Sequence, residues 1–87
     1  MEEKNSFEFL TDEEILERAK PKNEVNRLML KNILLKFGEL GELTSVARYL
    51  KVSRPFLYKA LEERKILSVK IGVKRMIVVR TILNIVD

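Results

Sequence analysis

The sequence contains no cysteine, histidine, tryptophan or glutamine, and it has only three glycines. Without cysteine and histidine, disulfide frameworks, thiol chemistry, zinc fingers and imidazole acid–base catalysis are excluded. The few glycines form no phosphate-cradling loop, and no nucleophile is paired with a base along the chain. The acidic run 12–14 starts a capped helix, where it compensates the helix dipole rather than holding a metal ion. We therefore expect no enzymatic activity, no metal and no cofactor.

The sequence also lacks a long apolar run and a secretory signal. No segment approaches the ~20 consecutive apolar residues that span a bilayer. The opening MEEKNSFEFL is acidic and has neither the basic stretch nor the apolar core of a signal peptide. We expect a cytoplasmic protein without a membrane partner. Its 87 residues suit one domain with a modest core.

Positive charge is concentrated in one half of the chain. Residues 1–43 carry seven Lys or Arg against ten Asp or Glu, a net charge of −3, whereas residues 44–87 carry ten against three, a net charge of +7. This asymmetry predicts a nucleic-acid surface on the C-terminal half. It leaves the N-terminal half as a scaffold or as the contact for a protein partner.

A short helix is predicted near the N-terminus. Thr11 and Glu14 have the spacing of a capping box. The helix that they begin runs to about Lys20, because Pro21 disfavours helical geometry in the residue before it. Residues 1–22 therefore form an N-terminal extension, and residues 23–87 form the main domain.

A second helix is predicted over residues 24–37, between the N-cap Asn23 and a left-handed Gly38. Gly38 and Gly41 then mark a loop. The apolar residues of this helix cover more than one stripe. The surplus predicts a further contact, with the first helix or with another subunit, although a central helix enclosed by its own domain explains it equally well.

Residues 43–64 have the spacing of a helix-turn-helix. Apolar residues recur on one face of each helix, and Val52 fills the short turn between them. Ala47 lies at the crossing of the helices, where a larger side chain pushes them apart. Ser53 is placed to cap the second helix, which opens with Arg54 and a proline. An ordinary helical hairpin has a similar stripe, but the short turn, the small Ala47 and the basic start of the second helix favour DNA binding.

A β-hairpin is predicted over residues 67–79. The segments 67–71 and 75–79 are rich in β-branched residues and are joined around Gly72. A helix-turn-helix followed by such a hairpin makes a winged helix. The tail 80–87 is predicted as a short helix or a continued strand, with its β-branched content slightly favouring strand. The predicted fold class is therefore mainly α with a small β-hairpin, a winged helix-turn-helix with extra N-terminal helices.

The motifs of residues 43–79 point to a family. They are Leu43-Thr44, Ala47, Val52-Ser53-Arg54, Leu57-Tyr58 and Lys70-Ile71-Gly72. This segment resembles the excisionase-like helix-turn-helix domains, which are related to the MerR type and also occur in some antitoxins. The helix 24–37 together with VSRPFLYKAL is also similar to the C-terminal DNA-binding region of Fis-type regulators, which lacks the wing and dimerises through its preceding helices.

The leading hypothesis is a sequence-specific double-stranded DNA-binding protein, either a transcriptional regulator or an excisionase-like architectural factor. Its second motif helix would lie in the major groove, where the Arg54 guanidinium can donate two hydrogen bonds to a guanine edge. The first motif helix would clamp the backbone, and the wing would meet phosphates or the minor groove. The candidate DNA-binding residues are Thr44, Ser45, Arg48, Ser53, Arg54, Pro55, Tyr58, Lys59, Lys70, Lys74 and Arg75.

A small single domain offers few base contacts, so a homodimer on a pseudo-palindromic site is expected. The apolar surplus of residues 24–37 and the apolar tail are its candidate interfaces. The alternative hypothesis is a winged-helix interaction module whose basic face binds an acidic protein partner. For the hairpin cations Lys70, Lys74 and Arg75, a solvated hairpin without any DNA contact is a separate alternative.

Overall fold

The computed structural model describes residues 7–86; residues 1–6 of the predicted extension and Asp87 of the predicted tail lie outside the described residues. The chain is mainly helical with a small three-stranded antiparallel sheet, which confirms the predicted class. Its elements are α1 (Asp12–Arg18), α2 (Glu24–Phe37), β1 (Leu40–Glu42), α3 (Leu43–Leu50), α4 (Arg54–Glu62), β2 (Ser68–Ile71), β3 (Lys74–Val78) and a C-terminal 3₁₀ helix (Val79–Ile85).

The helix starts follow their predicted caps. The Thr11 hydroxyl accepts from the backbone N–H of Glu14 at 3.1 Å, and the Thr11 N–H donates to the Glu14 carboxylate at 2.9 Å, which confirms the capping box. The Asn23 side chain accepts from the N–H of Asn26 at 2.8 Å, and α2 has the predicted bounds. Helix α1 ends at Arg18, earlier than predicted, because the backbone already leaves helical geometry at Ala19.

The segment between α2 and α3 is a strand, so the predicted loop is wrong. Gly38 has the expected positive φ of 77°, but its ψ of −156° is extended rather than left-handed helical, a conformation open almost only to glycine. The chain therefore passes directly into β1, where Gly41 pairs with Ile77 of β3. A three-residue strand is too short to show alternation, and only its pairing with a distant strand defines it.

Strand β3 lies in the middle of the sheet, between β1 and β2. The predicted hairpin is confirmed, with strand bounds that differ by one residue at three of the four strand ends. Ile71 pairs with Lys74, so Gly72 and Val73 form a two-residue turn. Gly72 has a φ of 63°, the value that the first position of a type II′ turn requires.

The core joins the helices to one face of the sheet. Its fully buried side chains come from α2, α3, α4, β3, the 3₁₀ helix and the segment between α4 and β2, and Ala47 of α3 is buried among them. The largest of them are Ile33, Leu57, Ile66, Ile77, Ile82, Val46 and Val79. The core thereby fixes α4 relative to the hairpin.

The tail is a 3₁₀ helix, so the preference for strand is wrong. The Thr81 hydroxyl donates to the Val78 carbonyl at 2.6 Å and accepts from the N–H of Leu67 at 3.1 Å. The helical turn allows the consecutive residues Ile82 and Leu83 both to be buried, whereas a strand places neighbours on opposite faces. Because Ile82 and Leu83 are buried in the core of their own chain, they are not the free apolar interface that the sequence suggested.

Helix α1 packs on this tail. Ile15 is fully buried, and the Asn84 amide donates to the carbonyls of Ile15 and Lys65 at 3.2 and 2.9 Å. Arg64, with a positive φ of 61°, donates to the Leu10 carbonyl at 3.1 Å and to the Asp12 carboxylate at 2.7 Å. The backbone at Arg64 is no longer in right-handed helical geometry. Helix α4 therefore ends at Glu62 and is slightly shorter than predicted.

Replacing Gly41 with alanine tests the close packing of β1 on α3. An added Cβ would lie 2.7 Å from Cγ2 of the buried Val46 and 3.1 Å from the Phe37 ring. We expect Gly41→Ala to lower the free energy of unfolding by about 1–3 kcal/mol, measured by urea denaturation. The control Val73→Ala, at a side chain that is 94% exposed, should change it by less than about 0.5 kcal/mol. Equal stability of Gly41→Ala and the native chain would contradict this packing.

Candidate nucleic-acid interface

Helix α4 presents the predicted recognition residues to solvent. Leu57 and Ala60 are buried against the core, which leaves Arg54, Tyr58 and Lys59 on the exposed side. Tyr58 is 51% exposed. The Ser53 hydroxyl accepts from the N–H of Phe56 at 3.2 Å, so it caps α4 as predicted, and Pro55 lies in the first turn. The start of α4 is therefore exposed and basic.

The turn between α3 and α4 is tight and carries a further cation. Lys51 adopts a left-handed conformation with a φ of 61°, and the N–H of Val52 donates to the Ala47 carbonyl at 3.0 Å. This bond closes the C-terminus of α3 in the manner of a Schellman motif. Lys51 is exposed. It was not among the predicted contacts, because those belong to the two motif helices and the hairpin, whereas Lys51 lies in the turn between the helices.

A groove between α3, α4 and the hairpin, here called the hairpin groove, contains residues of all three elements. It is lined by Glu42, Leu43, Thr44, Tyr58, Lys70, Val73, Lys74 and Arg75. Five predicted DNA-binding residues, Thr44, Tyr58, Lys70, Lys74 and Arg75, therefore meet in one place. Their positions span more than thirty residues of sequence, so only the fold brings them together.

The strand register explains how the hairpin cations reach this groove. Lys70 and Arg75 are cross-strand partners and share a sheet face with the buried Ile77, the face that packs on the helices. Arg75 also donates to the Ser68 hydroxyl at 3.1 Å, which holds its guanidinium over this face. Lys74 belongs to the opposite face and reaches the groove from the tip of the hairpin.

A second groove, here called the α4 groove, continues along α4. It is lined by Pro55, Tyr58, Lys59, Leu61, Glu62 and Arg75. Tyr58 and Arg75 border both grooves and make one continuous surface of them. Arg54 lies at the first residue of α4, outside both linings.

Ser45 and Arg48 do not join this surface. They line a separate groove, here called the Lys36 groove, with Lys36, Phe37 and Tyr49. Thr44 and Ser45 are consecutive, so the first turn of α3 separates the hairpin groove from the Lys36 groove. The predicted backbone clamp of α3 is thus divided between two places.

The predicted cations remain available for anions. Within residues 7–86 the ion pairs are Arg27–Glu24, Arg64–Asp12, Lys65–Glu63 and Arg80–Glu39, and none of them uses a predicted DNA-binding residue. The hydrogen bond from Arg27 lowers the pKa of Glu24, but this exposed pair lies on α2, outside the linings of the three grooves. The ion pairs of the described residues therefore neutralise none of the predicted DNA-binding cations.

Besides Lys51, which lines none of the three grooves, sequence reasoning missed groove residues that include Glu42, Lys36 and Tyr49. Glu42 places a carboxylate in the hairpin groove, and its side chain does not cap α3. Lys36 comes from α2, outside the recognised motif, so no spacing connected it with Arg48. In the part of the chain that the structure describes, no helix is long and apolar enough to cross a membrane, and no cluster of acidic side chains is arranged for a metal ion.

Comparisons with protein-family models, curated proteins and solved structures find no match to this chain.

Proposed function

We propose that this protein binds double-stranded DNA in a sequence-specific manner, with α4 in the major groove and the β2–β3 hairpin on the backbone or in the minor groove. The observation that carries the proposal is the hairpin groove, where Lys70, Lys74 and Arg75 meet Thr44 and Tyr58 beside the exposed face of α4. Cations and hydroxyl donors on one surface are what phosphate oxygens require.

The order of elements supports the same proposal. A helix, a short strand, two helices joined by a tight turn and a hairpin follow one another, and the short strand pairs with the hairpin. This is the arrangement expected of the winged helix-turn-helix that residues 43–79 resemble. Such a protein would act as a transcriptional regulator or as an architectural factor in recombination, and the proposed location is the cytoplasm.

Three exposed residues of α4 have proposed roles that follow from their chemistry. Arg54, at the start of the helix, reads a base through a bidentate contact to guanine. Tyr58 contacts a base or a phosphate, and Lys59 contacts a phosphate. No residue is assigned a catalytic role, because the proposal is binding alone.

A homodimer formed through α2 is part of the proposal. Val25, Leu28 and Leu35 are 73, 44 and 77% exposed, although all three are apolar. Together with the exposed Asn32 they have the spacing of a short coiled-coil seam, with Val25 and Asn32 at a positions and Leu28 and Leu35 at d positions. An asparagine at an a position specifies the register of such a seam. Two copies related by a two-fold axis would present two α4 helices to an inverted repeat.

Selection from a randomised duplex pool tests the proposed function. Bound duplexes would be sequenced after competition at about 150 mM salt, where non-specific attraction to phosphates is weakened. We expect enrichment of an inverted repeat, whose spacing reports the distance between two α4 helices. Salt-dependent binding without enrichment would contradict sequence specificity and leave either a non-specific nucleic-acid-binding protein or a module that binds an acidic protein partner.

Paired substitutions separate base reading from backbone contact. Arg54→Ala should weaken binding to the selected duplex by about 1–3 kcal/mol and relax the preference at one base pair. Lys74→Ala should weaken selected and scrambled duplexes alike and reduce the slope of log K against log salt by about one. Equal losses on selected and scrambled duplexes for Arg54→Ala would show that Arg54 does not read a base.

Sedimentation equilibrium tests the dimer. The native chain should sediment at twice its mass of 10.2 kDa. Leu35→Ser should sediment as the monomer, because it replaces the most exposed apolar side chain of the seam with a small hydroxyl group. Val73→Ser, which changes an even more exposed apolar residue away from α2, should remain dimeric. The dimer would be refuted if the native chain had a mass of 10.2 kDa when free and if one DNA site bound only 10.2 kDa of protein.

A further inference from the structure

The Lys36 groove lies beside the DNA-binding surface proposed above, and the inference drawn from it rests on that proposed function. Lys36 belongs to the last turn of α2, whereas Ser45, Arg48 and Tyr49 belong to α3. The groove is separated from the hairpin groove by the first turn of α3, since Thr44 lines one and Ser45 lines the other.

The polar groups of this groove are all suited to an anion. Lys36 and Arg48 supply two exposed cations, and Ser45 and Tyr49 supply two hydroxyl donors. No carboxylate lines the groove, in contrast to the hairpin groove with Glu42 and the α4 groove with Glu62. Within residues 7–86, neither Lys36 nor Arg48 belongs to an ion pair.

The walls of the groove are held in place by packing. Phe37 and Tyr49 meet edge to face, with ring centroids 5.5 Å apart and an angle of 82° between the planes. Gly41 allows β1 to lie against Phe37 and Val46, where a Cβ would clash with Val46 and crowd the Phe37 ring. The end of α2 is thereby fixed against α3, so Lys36 and Arg48 need little reorganisation to act on one ligand.

We infer that the Lys36 groove binds a backbone phosphate of the duplex that α4 reads. The duplex is then held through its backbone on both sides of the first turn of α3, by the hairpin cations on one side and by Lys36 and Arg48 on the other. Two separate backbone contacts fix the register of α4 in the major groove, although neither reads sequence. This assigns a DNA contact to α2, a helix outside the recognised motif.

The test measures how binding to the selected duplex depends on salt for Lys36→Ala and Arg48→Ala. Each variant should reduce the slope of log K against log salt by about 0.9, which amounts to about fivefold weaker binding at 150 mM salt. The loss should be equal on selected and scrambled duplexes, because a phosphate carries no sequence information. The matched control is Lys20→Ala, since Lys20 is an exposed cation that lines neither groove.

The possible outcomes separate this inference from the proposed function. If the native chain binds no duplex, the proposed function fails. If it binds but Lys36→Ala and Arg48→Ala keep the slope of Lys20→Ala, the function stands and the inference fails. Replacement of chloride by inorganic phosphate at equal ionic strength checks whether the groove is a site for a free anion. The assignment to DNA would be overturned if phosphate competed with duplex binding, if Lys36→Ala abolished that competition, and if the salt slopes of the variants were unchanged. Thermal melts and sedimentation of each variant exclude loss of fold or a changed oligomeric state as the cause.

Discussion

The antiparallel pairing of β3 with both β1 and β2 is the interaction on which the rest of the structure depends. Through β1 it attaches the hairpin to the junction of α2 and α3, and through Ile77 it packs the sheet on the helical core. Without β1 the hairpin would lose its pairing with the α2–α3 junction and would be held by the packing of Ile77 and by its chain connections. Its cations would then be positioned less firmly relative to α4, since an isolated two-stranded hairpin is at best marginally stable in water.

The same pairing determines which charges act together. Lys70 and Arg75 reach the hairpin groove because they share the sheet face of Ile77, and a register shift of one residue would turn both of them away. The ion pairs of the described residues involve other cations, so these groups remain available to a polyanion. In the proposed function, specificity and affinity come from different elements, because α4 would contact bases and the flanking grooves would contact phosphates.

Much of the fold was predictable because its signals are local. The caps at Thr11, Asn23 and Ser53 and the turn at Gly72 depend on neighbours within a few residues, and all of them are confirmed. The errors arose where a distant partner decides the conformation. Strand β1 exists only because β3 pairs with it, and the tail is helical because Thr81, Ile82 and Leu83 are all buried in that form.

The candidate site divides in the same way. The sequence alone determined the residues of α4 that face solvent, because helical periodicity and the buried Leu57 and Ala60 leave little choice. It also determined that the C-terminal half is basic. Only the tertiary structure decided that Thr44 and Ser45 line different grooves, that Glu42 enters one of them and that Lys36 joins Arg48 in the other. The physical reason is that side-chain direction within a helix follows from local geometry, whereas proximity between elements follows from the packing of the whole core.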